Sequence, residues 1–270
     1  MKKNIYLANT MQRMVVLLTN DDGIDSHGLV ASYRAMRGSG DIVVCAPESQ
    51  KTGTGRGFTL YKPIRVREVE FESTTAHATS GTPVDSLLYA IRGLGICPSL
   101  VVSGINLGEN LSTEITASGT VGVALESASC GYPTIAISLE TLGDEEKFEQ
   151  GRAVDFNVVS LVLRRVADKV LAHGLPPGVD ILNVNVPSDA TRETPMEITF
   201  LERRLYESRI EKRTDPMGRP YYWNVGDIVK DVRTGSDVAC IKQRRNISIT
   251  PLTVDMTANV PFETMTWLLD

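Results

Sequence analysis

Short apolar runs alternate with amphipathic stretches over the first two-thirds of this 270-residue chain. Apolar runs of about five residues, each closed by a turn residue, are typical of strands buried on both faces of a parallel sheet. The stretches between them repeat apolar residues at helical spacing and are bounded by suitable capping residues. Strands are predicted at 14–19, 42–46, 100–103, 134–138 and 180–186, and helices at 27–36, 83–91, 120–130 and 153–171.

The alternation of strands and helices predicts an α/β fold, with a Rossmann-like, mostly parallel, doubly wound sheet over residues 14–190. Beyond Pro187 the chain becomes richer in charge and aromatic residues, with Tyr221, Tyr222 and Trp223 close to a turn at 215–218. Aliphatic residues are too few there for a second core. Residues 191–270 are therefore predicted to form a β-hairpin arm, a last strand at 247–252 and a C-terminal helix. Residues 1–13 are predicted to be an N-terminal extension, which is either disordered or simply a different beginning of the chain.

Composition narrows the classes of function. The net charge of −5 argues against a broad nucleic-acid-binding face. No run approaches the roughly 20 apolar residues that a membrane-spanning helix needs, and the N-terminus lacks the pattern of a signal peptide. The four cysteines are far apart and form no CxxC pair, which favours buried free thiols and a cytoplasmic location over disulfides or zinc.

Three loops at the ends of predicted strands have compositions suited to chemistry. The first runs from Thr19 to Asp25 and holds two adjacent carboxylates, Asp21 and Asp22. Adjacent carboxylates repel each other, and a hard divalent cation with oxygen ligands removes that cost. An Asx turn or helix cap explains such a pair equally well on its own. In an open parallel sheet, ligands bind outside the carboxyl ends of the strands, where all three loops are expected.

The second loop, at 46–57, places three glycines among Thr52, Thr54 and Arg56, which allows close backbone approach to an anion. It matches neither the P-loop nor the dinucleotide-binding pattern, and a flexible lid is the plain alternative.

The third loop offers Asn106 as a neutral oxygen ligand. Asn110, Ser118, the backbone at Gly119, and Thr120 are candidate phosphate donors, helped by a helix N-terminus. The alternative, which is commoner for such side chains, is that they only form hydrogen bonds to the backbone of their own loop.

The chain resembles the SurE family of 5′-nucleotidases from about Met14 to its C-terminus. The resemblance rests on TNDDGIDSHG, SGTPVDSLLYA, VVSGINLGEN, SGTVGVALESASCGYP, LNVNVP and ISITPLTVDMTA, which occur in that order. It implies a Rossmann-like core, a protruding hairpin, and a C-terminal segment exchanged between subunits of a homodimer or homotetramer. It also implies a divalent metal, Mg²⁺ or Mn²⁺, and phosphatase action on nucleoside monophosphates.

By position, the resemblance implies that Asp21, Asp22, Asn106 and the hydroxyl of Thr52 hold the metal. The family usually has serine where this chain has Thr52, which leaves Thr54 as a substitute ligand. The predicted catalytic residues are Asp21 and Asp22, one of which acts as base or attacks directly. The predicted substrate-binding residues are Asn20, Asn110, Ser118, Gly119 and Thr120.

The expected reaction is hydrolysis of nucleoside 5′-monophosphates, with 3′-monophosphates and short polyphosphate as open possibilities. Three rivals stand beside it. A phospho-receiver module needs an aspartate at the end of a later central strand, where this chain has Val102, Ser103 and Gly104. A phosphatase with a phospho-aspartyl intermediate needs a DxDxT signature, which is absent. A nucleotide-binding signalling module without turnover is the third.

Overall fold

The computed structural model describes residues 14–141 and 154–269, and a nine-stranded sheet organises them. The expected extension at 1–13 and the first residue of the helix predicted at 153–171 lie outside the described residues. The strands are β1 (Val15–Thr19), β2 (Asp41–Pro47), β3 (Val66–Phe71), β4 (Thr74–Thr79), β5 (Leu100–Leu107), β6 (Thr134–Leu139), β7 (Ile181–Val186), β8 (Met196–Ile198), β9 (Tyr206–Thr214), β10 (Pro220–Ile228) and β11 (Ile247–Leu252).

The sheet has the order β3-β4-β2-β1-β5-β6-β7-β11-β8, and its six strands from β4 to β7 are parallel. Antiparallel pairs occur only towards its ends, where β3 joins β4 and β11 joins β7. The chain leaves β1 on one side to form β2 and returns on its other side to form β5. This reversal is the topological switch point of the sheet, where open α/β folds bind ligands.

Helices cover both faces of the sheet, as the alternating pattern predicted. They are α1 (His27–Met36), α2 (Pro83–Leu88), α3 (Gly119–Ser129) and α4 (Asn157–His173). On one face α1 packs on α4 around buried aliphatic residues such as Leu29 and Leu163, and on the other face α2 packs on α3. Local chemistry fixes the helix starts: Ser26 accepts a hydrogen bond from the Leu29 N–H, and Thr82 and Asp85 form a reciprocal capping box.

Several elements differ from the sequence prediction. The sequence did not reveal the β3–β4 hairpin, because half of the residues of β3 are charged and exposed and neither strand contains a continuous apolar run. The predicted third strand continues past Ser103 to Leu107, so that Asn106 lies on β5 rather than in a loop. The helix predicted at 83–91 ends at Leu88 and continues as a π-helical turn over Tyr89–Gly93. The expected C-terminal helix is a 3-10 helix, Phe262–Leu268, with no buried residue.

The hairpin arm is present as predicted. Strands β9 and β10 pair over nine residues each, and the turn between them is closed by Asp215 and Gly218. The arm forms its own two-stranded sheet, whereas β8 and β11 extend the main sheet beside β7. The division of the chain at residue 190 stays a prediction. No helix in the two described ranges is both long and apolar enough to cross a membrane.

Candidate functional site

The switch point between β1 and β5 places the acidic loop against the end of β5. Asp21 and Asp22 follow β1 directly, and the Leu107 N–H at the end of β5 lies 3.4 Å from Oδ2 of Asp22. The acidic loop also contacts the second loop, because the Lys51 N–H donates to the Asp21 carbonyl at 2.7 Å. The three loops predicted from the sequence therefore meet at one edge of the sheet.

Asp21 is a buried carboxylate with a fixed orientation. Its side chain is 4% exposed, and Oδ1 accepts a hydrogen bond of 2.5 Å from the hydroxyl of Thr120. Burial raises the pKa of Asp21 above its ordinary value, against the hydrogen bonds from Thr120 that lower it. A β-carbon on Gly119 would lie 2.6 Å from Oδ2 of Asp21, so this position requires glycine. The first turn of α3 thus packs directly on the carboxylate.

The glycine-rich loop is anchored to α3 and to the 3-10 helix Ser112–Ala117 that precedes it. The Gly55 N–H donates to the Ala117 carbonyl, and the Arg56 guanidinium pairs with Glu126 at 2.8 Å. Within this loop, the hydroxyl of Thr54 donates to the Lys51 carbonyl at 2.9 Å, while Thr52 lines the cavity described below. The structure therefore brings Thr52, rather than Thr54, to the carboxylates.

Asn106 and Asn110 are oriented by hydrogen bonds to neighbouring backbone and side chains. The amide nitrogen of Asn106 donates to the carbonyl of Gly108 at 2.7 Å, which leaves its amide oxygen as the atom for a ligand. The backbone of Asn110 is held on both sides, because its N–H donates to Oδ1 of Asn185 and its carbonyl accepts from Nδ2 of the same residue, at 2.8 and 2.9 Å. Both asparagines therefore sit in a rigid setting.

The start of α3 supplies hydrogen-bond donors. Ser118 is the N-cap, and its Oγ accepts from the Val121 N–H, so the hydroxyl proton is left for a further acceptor. Thr120 is fully buried and directs its hydroxyl at Asp21. The N-terminus of this eleven-residue helix favours anions through its dipole. Ser118 and this helix terminus therefore suit a phosphate that lies next to the carboxylates, whereas the buried hydroxyl of Thr120 already donates to Asp21 and does not line the cavity described below.

These groups enclose one cavity of about 420 Å³. Its volume falls in the range of small-molecule sites. Its polar wall contains Asp21, Asp22, Gln50, Thr52, Asn106, Glu109, Asn110, Glu114 and Ser118.

The oxygen donors of this wall are chemically matched to a hard divalent cation, and the buried charge of Asp21 gives a cation a reason to bind. In the described ranges no three His, Cys, Asp or Glu side chains come together as a metal site. A cation at this wall would depend on two carboxylates, supplemented by a hydroxyl and an amide oxygen.

Asn20 of the first loop and His27, the first residue of α1, do not line this cavity. The side chain of Asn20 is buried and spans its own loop, with bonds to Gly23 and Ser26. His27 lines a larger cavity of about 790 Å³ between α1 and α4. In that cavity Arg34 pairs with Glu72 at 2.9 Å, and Arg164 pairs with Asp168 at 2.9 Å. The assignments of individual site residues stay predictions.

Sequence reasoning missed several residues at the site. Leu205 and Tyr206, at the base of the arm, and Glu114 form part of the cavity wall. No motif marks these three residues. Asn183 and Asn185 were detectable in principle, since the LNVNVP string places two amides on one face of an otherwise apolar buried strand. Both donate to the carbonyl of Asn110.

Known proteins share this sequence and fold. A family model described as Survival protein SurE matches residues 16–208. A 5′-nucleotidase SurE of Thermococcus gammatolerans is 49% identical over 251 residues, covering 93% of this chain and 94% of the relative. Another, of Methanothrix thermoacetophila, is 44% identical over 260 residues, covering 94% and 98%.

The crystal structure of a SurE protein from Aquifex aeolicus aligns with a TM-score of 0.79 and 32% identity. The alignment covers 95% of this chain and 100% of that one. The comparisons confirm the resemblance that the motifs indicated, and this chain belongs to the SurE family.

Proposed function

We propose that this protein hydrolyses nucleoside 5′-monophosphates to nucleoside and phosphate, and that a divalent cation is required. One observation carries the proposal: Asp21, Asp22 and Asn106 share a cavity with Ser118 at the start of α3. Oxygen donors and an anion-binding helix terminus are thereby placed side by side, as phosphate ester hydrolysis requires. The relatives named 5′-nucleotidase SurE, which align over more than nine-tenths of this chain, support the same activity.

The cation would be Mg²⁺ or Mn²⁺, held by Asp21, Asp22, Thr52 and Asn106. This donor set is all oxygen, which suits these hard ions better than zinc or copper. When bound, the cation neutralises charge on the phosphoryl group and lowers the pKa of a water ligand. The hydrogen bond from Thr120 fixes one oxygen of Asp21, so that its other oxygen is the one presented to a ligand.

Phosphate binding falls to the protein's own donors. Ser118 offers its hydroxyl proton, and the N-terminal turn of α3 adds its dipole. Asn110 already donates one amide hydrogen to Ser138 at 2.8 Å, which leaves the second for the phosphate. Donors fixed before the substrate arrives stabilise the developing charge of the transition state without reorganisation.

A phospho-receiver role lacks its essential group. Strand β5, which lies next to β1, carries no aspartate in its sequence LVVSGINL. Paired acidic residues without that acceptor cannot take up a phosphoryl group in the manner of a receiver.

The decisive experiment measures phosphate release from a panel of nucleoside 5′- and 3′-monophosphates and from short polyphosphate. The protein is stripped with a chelator and then supplied with Mg²⁺, Mn²⁺, Ca²⁺ or Zn²⁺. We expect no turnover after stripping, recovery with Mg²⁺ or Mn²⁺, and preference for 5′-monophosphates. Undiminished turnover in chelator would contradict the metal requirement, and no release from any nucleotide would contradict the activity.

We further propose that the protein is a homo-oligomer assembled through the arm and the C-terminal segment. Tyr222, Trp223 and Ile210 of the arm are 61%, 53% and 67% exposed, and Trp267 of the C-terminal 3-10 helix is 69% exposed. Exposed aromatic and aliphatic side chains in such numbers are typical of partner surfaces.

We also propose a cytoplasmic location for the protein. The four cysteines are free thiols, which supports this location.

A further inference from the structure

Glu109 places an additional carboxylate beside the proposed phosphate site. It lies on the cavity wall between Gly108 and Asn110, and its side chain is 9% exposed. A carboxylate in this place opposes the binding of a phosphate dianion, because like charges repel strongly where water is scarce. The proposed function therefore needs a positively charged group that neutralises Glu109.

Lys242 supplies this positive charge. Its ammonium group lies 2.6 Å from Oε1 of Glu109 and 2.7 Å from Oε1 of Glu140. Lys242 comes from a π-helical turn, Ala239–Gln243, beyond the arm, and it is not part of the cavity wall. The lysine can therefore neutralise Glu109 without binding the phosphate itself.

The charge of Glu140 is compensated separately. Arg245 donates to both oxygens of Glu140, and the backbone and hydroxyl of Ser188 donate to Oε2. Burial alone would raise the pKa of Glu140, yet the hydrogen bonds from Arg245 and Lys242 lower it to about 2. Because Arg245 already pairs with Glu140, the ammonium group of Lys242 is available to neutralise Glu109.

The backbone around Glu109 is anchored independently of Lys242. Asn185 holds both the N–H and the carbonyl of Asn110, and the Gly108 N–H donates to the Leu139 carbonyl at 2.8 Å. Loss of Lys242 would therefore leave the loop in place and release the Glu109 side chain towards the cavity. The expected consequence is electrostatic rather than a collapse of the site.

We propose that Lys242 is a positioning residue of the phosphate site, which holds and neutralises the Glu109 carboxylate so that the cavity accepts a dianion. This inference rests on the proposed function, since it concerns the same site. It makes a distinctive prediction: the defect caused by loss of Lys242 disappears when the charge of Glu109 is removed as well.

The experiment compares Lys242→Met, Glu109→Gln, the double variant, and the control Arg244→Met. Binding of inorganic phosphate to the Mg²⁺-loaded protein is measured by calorimetry, and KM and kcat are measured with adenosine 5′-monophosphate. We expect Lys242→Met to weaken phosphate binding and to raise KM by about tenfold or more, with a smaller change in kcat. In the double variant both values should return to within about threefold of the wild type.

Arg244→Met tests whether loss of a neighbouring ion pair has the same effect. It should lower the unfolding temperature and leave phosphate binding and KM at wild-type values, because the ion pair of Arg244 is with Glu197 and involves neither Glu109 nor Glu140. An unchanged KM in Lys242→Met would overturn the proposal. A double variant as impaired as Lys242→Met would also overturn it, since that result indicates a purely structural role.

Two further measurements keep the inference testable by itself. Calorimetry with phosphate reports the charge effect even if no nucleotide is hydrolysed, so failure of the proposed function is distinguishable. If Lys242→Met does not fold, Glu109→Gln alone decides. The proposal requires that variant to bind phosphate at least about threefold more tightly than the wild type. Equal or weaker binding contradicts it.

Discussion

The carboxyl edge of the parallel sheet and the hairpin arm differ in which side chains they bury and which they expose. At the sheet edge, polar side chains such as Asp21, Thr120 and Asn185 are buried, and each has hydrogen-bond partners. On the arm, apolar side chains such as Trp223 and Ile210 are exposed, and the two strands support each other only. Each region therefore departs from the usual placement of residues in a folded chain.

The two departures have different physical meanings. Burial of a polar group is unfavourable unless its hydrogen bonds are made, so a cluster of hydrogen-bonded polar groups beside a cavity points to a functional role. Exposure of a large apolar group costs little in the isolated chain but favours association. These departures support the proposals that the sheet edge is the site of reaction and that the arm is a contact surface, and the following predictions separate the two.

The largest effect is expected from Asp21→Asn. The substitution removes a charged metal ligand while the amide can still accept from Thr120, so turnover should fall at least about a hundredfold with the fold retained. Metal-dependent phosphate release and far-UV circular dichroism are the measurements. Asp25→Asn is the matched control: Asp25 belongs to the same loop but lines the other cavity, and its variant should keep near-normal turnover. Near-normal turnover in Asp21→Asn would disprove the site assignment.

Removal of the arm should change assembly and leave the sheet edge in place. Ser208 and Gly226 are directly paired, so residues 209–225 can be deleted and the two ends joined by a short Asn-Gly turn. Light scattering should show a smaller assembly at micromolar concentration, and metal binding should persist. A wild-type protein that is already monomeric under those conditions would refute the assembly proposal.

A substitution test on the arm keeps its backbone intact. Tyr221 and Trp223 face Arg213 and Glu211 across the hairpin, which provides an aromatic pair and a polar pair at the same level. Serine at both aromatic positions should weaken assembly more than serine at both charged positions. Equal effects of the two double variants would contradict an apolar contact.

Sequence reasoning succeeded where burial leaves a local signal. Strands β1 and β5 to β7 are apolar along most of their length because helices cover both faces, and the paired aspartates stand directly at the end of β1. It failed where structure depends on residues far apart in the chain. No sequence pattern around Glu109 or Lys242 predicts their 2.6 Å pairing. Strand β3, half of whose residues are charged and exposed, contains no continuous apolar run. The position of Tyr206 on the cavity wall is likewise decided by tertiary packing.

The charge network beside the site predicts a pH dependence of stability. The pKa of Glu140 is lowered from its ordinary 4.5 to about 2, so its contribution is complete above pH 4.5 and is lost as the pH falls towards 2. The contribution amounts to at most about 3 kcal/mol. The difference in unfolding free energy between wild type and Glu140→Gln should therefore shrink across that interval, as measured by urea unfolding at several pH values. A constant difference would contradict it.

The smallest effect concerns the second loop, where the structure distinguishes two hydroxyls that the sequence left open. Thr52 lines the cavity, whereas Thr54 spends its hydroxyl on the Lys51 carbonyl. Thr52→Ala should raise the Mn²⁺ concentration needed for half-maximal activity by about tenfold, the equivalent of one weak ligand of about 1.4 kcal/mol. Thr54→Ala should change it less and instead loosen the loop. Activity titrated against Mn²⁺ for both variants decides between them. A larger shift in Thr54→Ala would show that Thr54, and not Thr52, supplies the ligand, and would remove Thr52 from the metal site.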